Sequence, residues 1–266
     1  LHKKLLQKFA FYYSILQGNL IARATPSSLA FICTKNYFKN LLFIIVSCWM
    51  LGPSVKGNGD VTEETRQLSG FDRLEASTGL EVFLVPDSDE YVIVEADDNL
   101  HKDIQTTLKG STLRIFTESR IRWAESRKVF VHYKQLSALN SSSGAFIRCS
   151  DLLTTKELEI KASSGSHQYL QIDAANVEGR CSSGAHISIS GKCEKANIKA
   201  SSGAHFKGEA FQSAHCDADA SSGAHIWVEV TEDLQAEASS GGHINYAGNP
   251  KKTAIRSSSG GSISRN

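Results

Sequence analysis

The sequence predicts an all-β fold: a parallel β-solenoid wound in coils of about 19 residues, behind a β-rich N-terminal part. Three observations lead there. A Ser-Ser-Gly phrase returns at Ser142, Ser163, Ser182, Ser201, Ser221, Ser239 and Ser258, with glycine-to-glycine spacings of 21, 19, 19, 20, 18 and 19 residues. A period that constant marks stacked units, each too small to bury its own apolar face. Between phrases, small apolar residues alternate with polar ones, which is the period-two pattern of a strand with one wet face. Within the repeats, the Asn-Gly and Asp-Gly pairs that signal antiparallel hairpins are absent.

Composition fits a folded chain, with 41% hydrophobic and 21% charged residues. A net charge of +1 gives no electrostatic case for a nucleic-acid partner. Position 1 is Leu, and Met50 is the single methionine. Residues 1–34 match neither a signal nor a domain and are set aside as upstream read-through or a mis-set start. A first membrane segment is the rival there, interrupted by Gln17, Gly18, Asn19 and Arg23. Residues 35–54 read as a signal peptide: Lys35 and Lys39 precede an apolar run from Leu41 to Gly52, too short to span a bilayer comfortably. Gly52 and Ser54 offer a small-x-small site for cleavage after about Ser54. The alternative is a loose lipobox, Ile45-Val46-Ser47-Cys48, which would place a lipid on Cys48. Trp49 and the lack of a polar tether weigh against the lipid.

Residues 55–66 are polar and Gly-containing, an expected exposed linker. Residues 67–266 form the domain, with 67–136 as its β-rich N-terminal part and 137–266 as the Ser-Ser-Gly repeats. Strands are expected where Val82 and Leu84 alternate with Glu81 and Phe83, at Tyr91–Val94, at Leu113–Ile115, and where Val129, Val131 and Tyr133 alternate with Phe130 and His132. Asp98 to Leu108 is the one expected short helix, since Leu100, Ile104 and Leu108 share a face at a spacing of four. Ser77-Thr78-Gly79 reads as a degenerate copy of the repeat phrase.

Each repeat holds two strands. Before the phrase lie Leu158-Ile160-Ala162, Val177-Gly179-Cys181, Ala196-Ile198-Ala200, Cys216-Ala218-Ala220 and Leu234-Ala236-Ala238, pointing inward. After it come Ile187 and Ile189, Phe206, Ile226 with Val228, and Ile244. The phrase glycine is expected to supply a bend or a close backbone approach, and stacked serines to bond one another and nearby backbone.

Phe71-Asp72-Arg73-Leu74, Val94-Glu95-Ala96-Asp97-Asp98-Asn99-Leu100, the Ser-Ser-Gly-Ala phrases, Gly248-Asn249-Pro250-Lys251-Lys252 and the closing Ser-Ser-Gly-Gly-Ser together resemble the head GIN domain family. These are autotransporter-adhesin-like proteins common in Bacteroidetes. The resemblance covers about residues 57–266. It implies a right-handed parallel β-helix and an exported protein of the periplasm, outer membrane or cell surface of a Gram-negative bacterium. It brings no catalytic residues. Family members often carry Asp after the Gly-Ala, where this chain usually has His.

That departure gives the sharpest site expectation. His167, His186, His205, His225 and His243 each fall two residues after a repeat glycine, so they should form one ladder. Imidazole ligates zinc, copper and nickel, which makes the column a candidate metal or pH-sensing site. The plain alternative is exposed, stacked rings of a duplicated repeat. Cys149, Cys181, Cys193 and Cys216 permit two disulfides, but Cys181 and Cys216 take inward positions that other copies fill with Ala, as buried free thiols do. No Gly-x-Ser-x-Gly, phosphate-binding Gly-Lys loop or His-Glu-x-x-His occurs, and no cofactor is implied. Asp217, Asp219, Glu159, Glu178 and Glu237 share outer columns with Lys161, Arg180 and Lys199, the pattern of a solvated face.

The expected function is an exported, non-enzymatic, adhesin-like binding scaffold. Its partners would be a glycan or a surface protein, with self-association through end coils and membrane contact only through a lipid anchor. The rival is a polysaccharide lyase or hydrolase on the same fold, which should interrupt the repeats with long loops around a cleft.

Overall fold

A computed structural model describes residues 54–266. The expected signal peptide up to residue 53, with Cys48, and segment 1–34 lie outside the described residues. The described residues begin with β1 (Ser54–Lys56) and β2 (Val61–Arg66), then β3 (Arg73–Ala76), β4 (Glu81–Pro86) and β5 (Tyr91–Asp97). A single 3₁₀ turn, Asp98–Leu100, leads to β6 (Ile104–Lys109), β7 (Thr112–Thr117), β8 (Arg120–Trp123), β9 (Arg127–Tyr133) and β10 (Ala138–Ser141). The repeats follow as β11 (Phe146–Ala162), β12 (His167–Cys181), β13 (His186–Ala200), β14 (His205–Ala220), β15 (His225–Ala238), β16 (His243–Ala247), β17 (Lys252–Ser257) and β18 (Ser262–Arg265).

From β10 onward each coil pairs in parallel with the next, in the register the repeat phrase dictates. This is the predicted β-solenoid. The long strands hold two inward-facing stretches with a corner between them. In β12 the alternation of buried and exposed residues slips at Ala175 and Asn176, which both point outward, and resumes at Val177. The two inner stretches pack against each other. A Cβ placed on Gly179 would lie 2.9 Å from both Ile198 Cδ1 of β13 and Phe206 Cε2 of β14, so the missing side chain makes room for the Phe206 ring. Both outer surfaces therefore face away from a shared core. That core is continuous from Phe71 to Ile244.

The Ser-Ser-Gly phrase turns the chain. At all eight copies among the described residues, Ser77-Thr78-Gly79 included, the second residue has φ of 48° to 61° and the glycine 67° to 76°. In the seven Ser-Ser-Gly copies the backbone N–H after the glycine donates to the first serine's carbonyl at 2.8–3.2 Å. Two left-handed residues closed by such a bond are a type I′ turn, with Ser-Gly standing where Asn-Gly is usual. A Cβ on these glycines would meet nothing within 4 Å, so positive φ and not close approach requires them. The expected serine ladder is also corrected. Backbone carries the rung-to-rung bonds, as when Gly165 N–H donates to Ser183 O at 3.1 Å, and among the described residues no phrase-serine hydroxyl makes one.

The N-terminal part departs from chain order. β3 lies between β7 and β10, and β4 between β9 and β11, all parallel. The coil made of β7 and β9 thus stacks outside the coil made of β3 and β4, although it comes later in sequence. Antiparallel strands cover that end: β6 on β7, β5 on β9, and β2 on β5. Within the expected linker, residues 55–56 pair with β8 and Val61–Arg66 with β5, and residues 57–60 join the two strands. Asp97 anchors them. Its buried carboxylate accepts from Gly59, Glu125 and Ser126 backbone N–H groups at 2.8, 2.9 and 3.1 Å.

The expected helix at Asp98–Leu108 is overturned beyond its first turn. Leu100 and Ile104 are buried, but Leu108 is 41% exposed in a hairpin whose turn uses Gly110 at φ 60°. The β-branched pair Thr106-Thr107 and a partner strand outweigh a four-residue apolar spacing. The four cysteines among the described residues, Cys149, Cys181, Cys193 and Cys216, are buried free thiols. Burial pushes the thiols of Cys181, Cys193 and Cys216 up to about 12, so they are poor nucleophiles.

Candidate ligand-binding faces

After each turn the second residue beyond the glycine points outward, so parallel register lines up the histidines. His167, His186, His205, His225 and His243 pair in sequence across β12 to β16. Their ring centroids stand 4.9, 4.8, 5.0 and 4.8 Å apart, with interplanar angles of 6° to 17°. Phe146 precedes the column, and Ser262 follows it with its Oγ 2.6 Å from His243 Nδ1. Half-burial, then the neighbouring imidazoles, hold His186 and His225 below the ordinary histidine range.

Stacking sets limits on metal chemistry. Two nitrogens on one zinc are at most about 4.2 Å apart, twice a Zn–N bond of ~2.1 Å. Parallel rings nearly 5 Å apart must swing out of the stack to converge on one ion. Among the described residues no group of three or more His, Cys, Asp or Glu is placed to hold a metal.

A second column runs beside the first: Arg148, Tyr169, Ser188, Lys207, Trp227 and Asn245. The Arg148 guanidinium lies 5.4 and 5.5 Å from the ring centroids of Phe146 and Tyr169. Trp227 stacks beside His225 at 5.6 Å. Tyr169 is 41% exposed. Sequence reasoning missed this column. Its signal was an offset of two from each histidine, with residue types too mixed to stand out.

The other outer face carries a groove of about 990 Å³ along the stack. One column runs Arg73, Ala138, Glu159, Glu178, Asn197, Asp217, Gln235, Ala254, and a second runs Glu157, Asn176, Lys195, His215, Asp233, Lys252. Eight rungs at ~4.8 Å give a length of roughly 34 Å. Leu158, Val177, Ala196, Cys216 and Leu234 form its floor. Ala138 is short enough for Arg73 to reach over it to Glu159 at 2.8 Å. Glu159 also pairs with Lys161, and Lys161 and then Arg73 hold its carboxyl below the usual range. Glu178 pairs with Arg180, and His215 Nδ1 sits 2.9 Å from Asp233 Oδ2. Among the described residues Asp217 and Asp219 have no ion pair. The solvated, charge-alternating face is present at Glu159 and Glu178. At Asn176, Asn197, Asp217 and Gln235 it gives way to unpaired amides and a carboxylate.

Among the described residues no long loop walls this groove; the copies between Phe146 and Ala238 run from one turn to the next as continuous strands. Solved structures with this fold include a "putative adhesin" from Bacteroides fragilis NCTC 9343, at 15% identity and a TM-score of 0.75, covering 80% of this chain and 100% of that one. A second "putative adhesin", from Parabacteroides merdae ATCC 43184, is 16% identical with a TM-score of 0.64 over 80% of this chain and 99% of that one. A "putative lipid binding protein" from Parabacteroides distasonis ATCC 8503 is 20% identical with a TM-score of 0.62 over the same shares. No curated protein matches. A family model matches residues 70–250, most of the described solenoid, and on that match the chain belongs to the family described as "Putative auto-transporter adhesin, head GIN domain".

Proposed function

We propose that this protein is an exported, non-enzymatic, adhesin-like scaffold of the cell envelope that binds extended glycan chains lengthwise. The observation carrying the reading is the open polar groove, where Asn197, Asp217 and Gln235 stand at rung spacing with free hydrogen-bonding capacity and Asn176 lies in the neighbouring column. Amides and carboxylates at regular intervals suit the hydroxyls of a repeating sugar. A glycosidase needs an acid whose proton is retained near neutrality. Glu159 is shifted the opposite way by its cationic partners.

The test is a glycan-array and whole-cell binding screen. Asn197→Ala with Asp217→Ala is expected to reduce binding at least tenfold. Undiminished binding by that variant would remove the groove assignment, and depolymerisation of any array polysaccharide would move the protein to the enzymes. Export is tested by fractionation and surface protease accessibility. Palmitate labelling lost on Cys48→Ala would select the lipid-anchored form, and its absence the cleaved one.

A further inference from the structure

We infer that the histidine column and its companion column of Arg148, Tyr169, Lys207 and Trp227 form a second binding face, for a carboxylated polysaccharide, which engages that polymer as the histidines protonate. The face lies on the outer surface away from the groove, so it stands or falls independently of the reading above.

Charge is the first support. Between Phe146 and Asn245 neither column contains a carboxylate, while Arg148 and Lys207 supply fixed positive charge. On the turn side the neighbours are the neutral serines Ser164, Ser183, Ser202, Ser222 and Ser240. The acids nearest the face are peripheral. Glu209 and Glu229 lie beyond the second column, and Glu229 accepts from Gln212 at 3.1 Å. Glu81 and Lys128 lie past Phe146 at one end, and the neutral Ser262 and Ser264 border the other. Imidazole is the side chain that gains charge on mild acidification. Neighbouring imidazolium charges about 5 Å apart repel, and an anion lying along the column removes that repulsion.

Shape is the second. The imidazoles repeat every 4.8 to 5.0 Å, close to the advance per pyranose in an extended polysaccharide. One carboxylate per sugar can therefore meet one rung. Tyr169 and Trp227 offer ring surface to the apolar faces of sugars, and the Arg148 guanidinium can take a carboxylate through two N–H groups. A shallow recess lined by Arg148, Tyr169, Gln171, Ser188 and Lys207, with Glu209 as its one carboxylate, adjoins them. A net charge of +1 supplies none of the long-range attraction that nucleic-acid binders use.

The full chain would be titrated with polygalacturonate fragments at pH 5.5 and 7.5 at fixed ionic strength. Neutral dextran and a single-stranded oligonucleotide of matched charge serve as comparison probes. Two or three added exposed ion pairs predict binding about tenfold tighter at pH 5.5. The variant His186→Asn, His205→Asn, His225→Asn should lose that difference, and Arg148→Ala should weaken binding at both pH values. Asn197→Ala with Asp217→Ala, on the other face, should leave it unchanged. Equal affinity at the two pH values, a tenfold difference surviving in the triple variant, or equal binding of dextran or the oligonucleotide would each overturn the assignment. Should the triple variant fail to fold, the wild-type imidazole resonances decide. The polymer must raise the pH at which they titrate, and unchanged titration overturns the proposal.

Discussion

Gly179 and Phe206 test whether the two inner stretches interlock as described. Replacing Gly179 with Ala places a methyl 2.9 Å from Ile198 Cδ1 and from Phe206 Cε2, well inside van der Waals contact. Overpacking a fitted core costs about 1–3 kcal/mol. The backbone at Gly179 is not left-handed, so alanine also restricts the unfolded chain and returns about 0.4–1 kcal/mol. The net expectation is a loss of about 1–2 kcal/mol. Phe206→Ile alone, matching Ile187 and Ile226 in adjacent coils, opens a void facing Gly179 and costs about 1–3 kcal/mol. Combined, the methyl fills that void, so the pair should show a coupling of at least about 1 kcal/mol in a double-mutant cycle. Urea denaturation followed by circular dichroism measures all four proteins. Additive losses within about 0.3 kcal/mol would refute the interdigitated core.

Other consequences follow from the same coordinates. Gly191→Ala, at φ 108° with its Cβ 2.0 Å from Ile172 O, is expected to abolish cooperative unfolding, whereas Gly165→Ala, at φ 68° in open space, should cost only about 1–2 kcal/mol, both read by thermal melting. Gln168 is buried where other coils place Ile or Phe; its Nε2 donates to Ser141 Oγ and Lys161 O, Ser141 Oγ donates to Ser166 Oγ, and Gln168 Oε1 has no partner. Replacing the set by Ser141→Ala, Ser166→Ala and Gln168→Ile should stabilise by on the order of 1 kcal/mol in denaturant titration. His186 and His225 bind protons less readily folded than unfolded, so their contribution is full above about pH 6.5 and declines as pH falls through their depressed folded values. A melting temperature lower at pH 5 than at pH 7.5, with the difference reduced by His186→Asn and His225→Asn, is expected from differential scanning fluorimetry. Zinc titrated calorimetrically at pH 7.5 should bind weakly, one imidazole per ion; micromolar affinity would mean that the rings leave the stack.

The period of the repeat made the solenoid legible, because identical offsets from a turn glycine become columns once the coils are parallel. The histidine ladder followed from an offset of two, and the thiols from the alanines at equivalent positions. Other features needed coordinates. Gln168 occupies an inward position that apolar periodicity assigns to Ile, and only its bonds to Ser141 and Lys161 explain why a polar group is tolerated there. The apolar spacing of Leu100, Ile104 and Leu108 fits one helix face, but a partner strand, which no local pattern reveals, decided against it. The groove was half legible: its acids and bases were visible, but the unpaired amides between them gained meaning only when register placed Asn197 beside Asp217.

The out-of-order stacking at the amino end has a consequence for biogenesis. The coil of β3 and β4 is clamped on both sides by chain that emerges later, from β7 and β9 beneath and from β10 and β11 above. A polypeptide that emerges amino end first cannot complete this layer until Tyr133 has emerged. Once that plug closes, every further 18 to 21 residues add one layer to a finished template. Assembly therefore has a single slow start followed by ratchet-like growth. Losing a layer from the carboxyl side should trim the molecule, while losing one from the amino side should prevent it from forming.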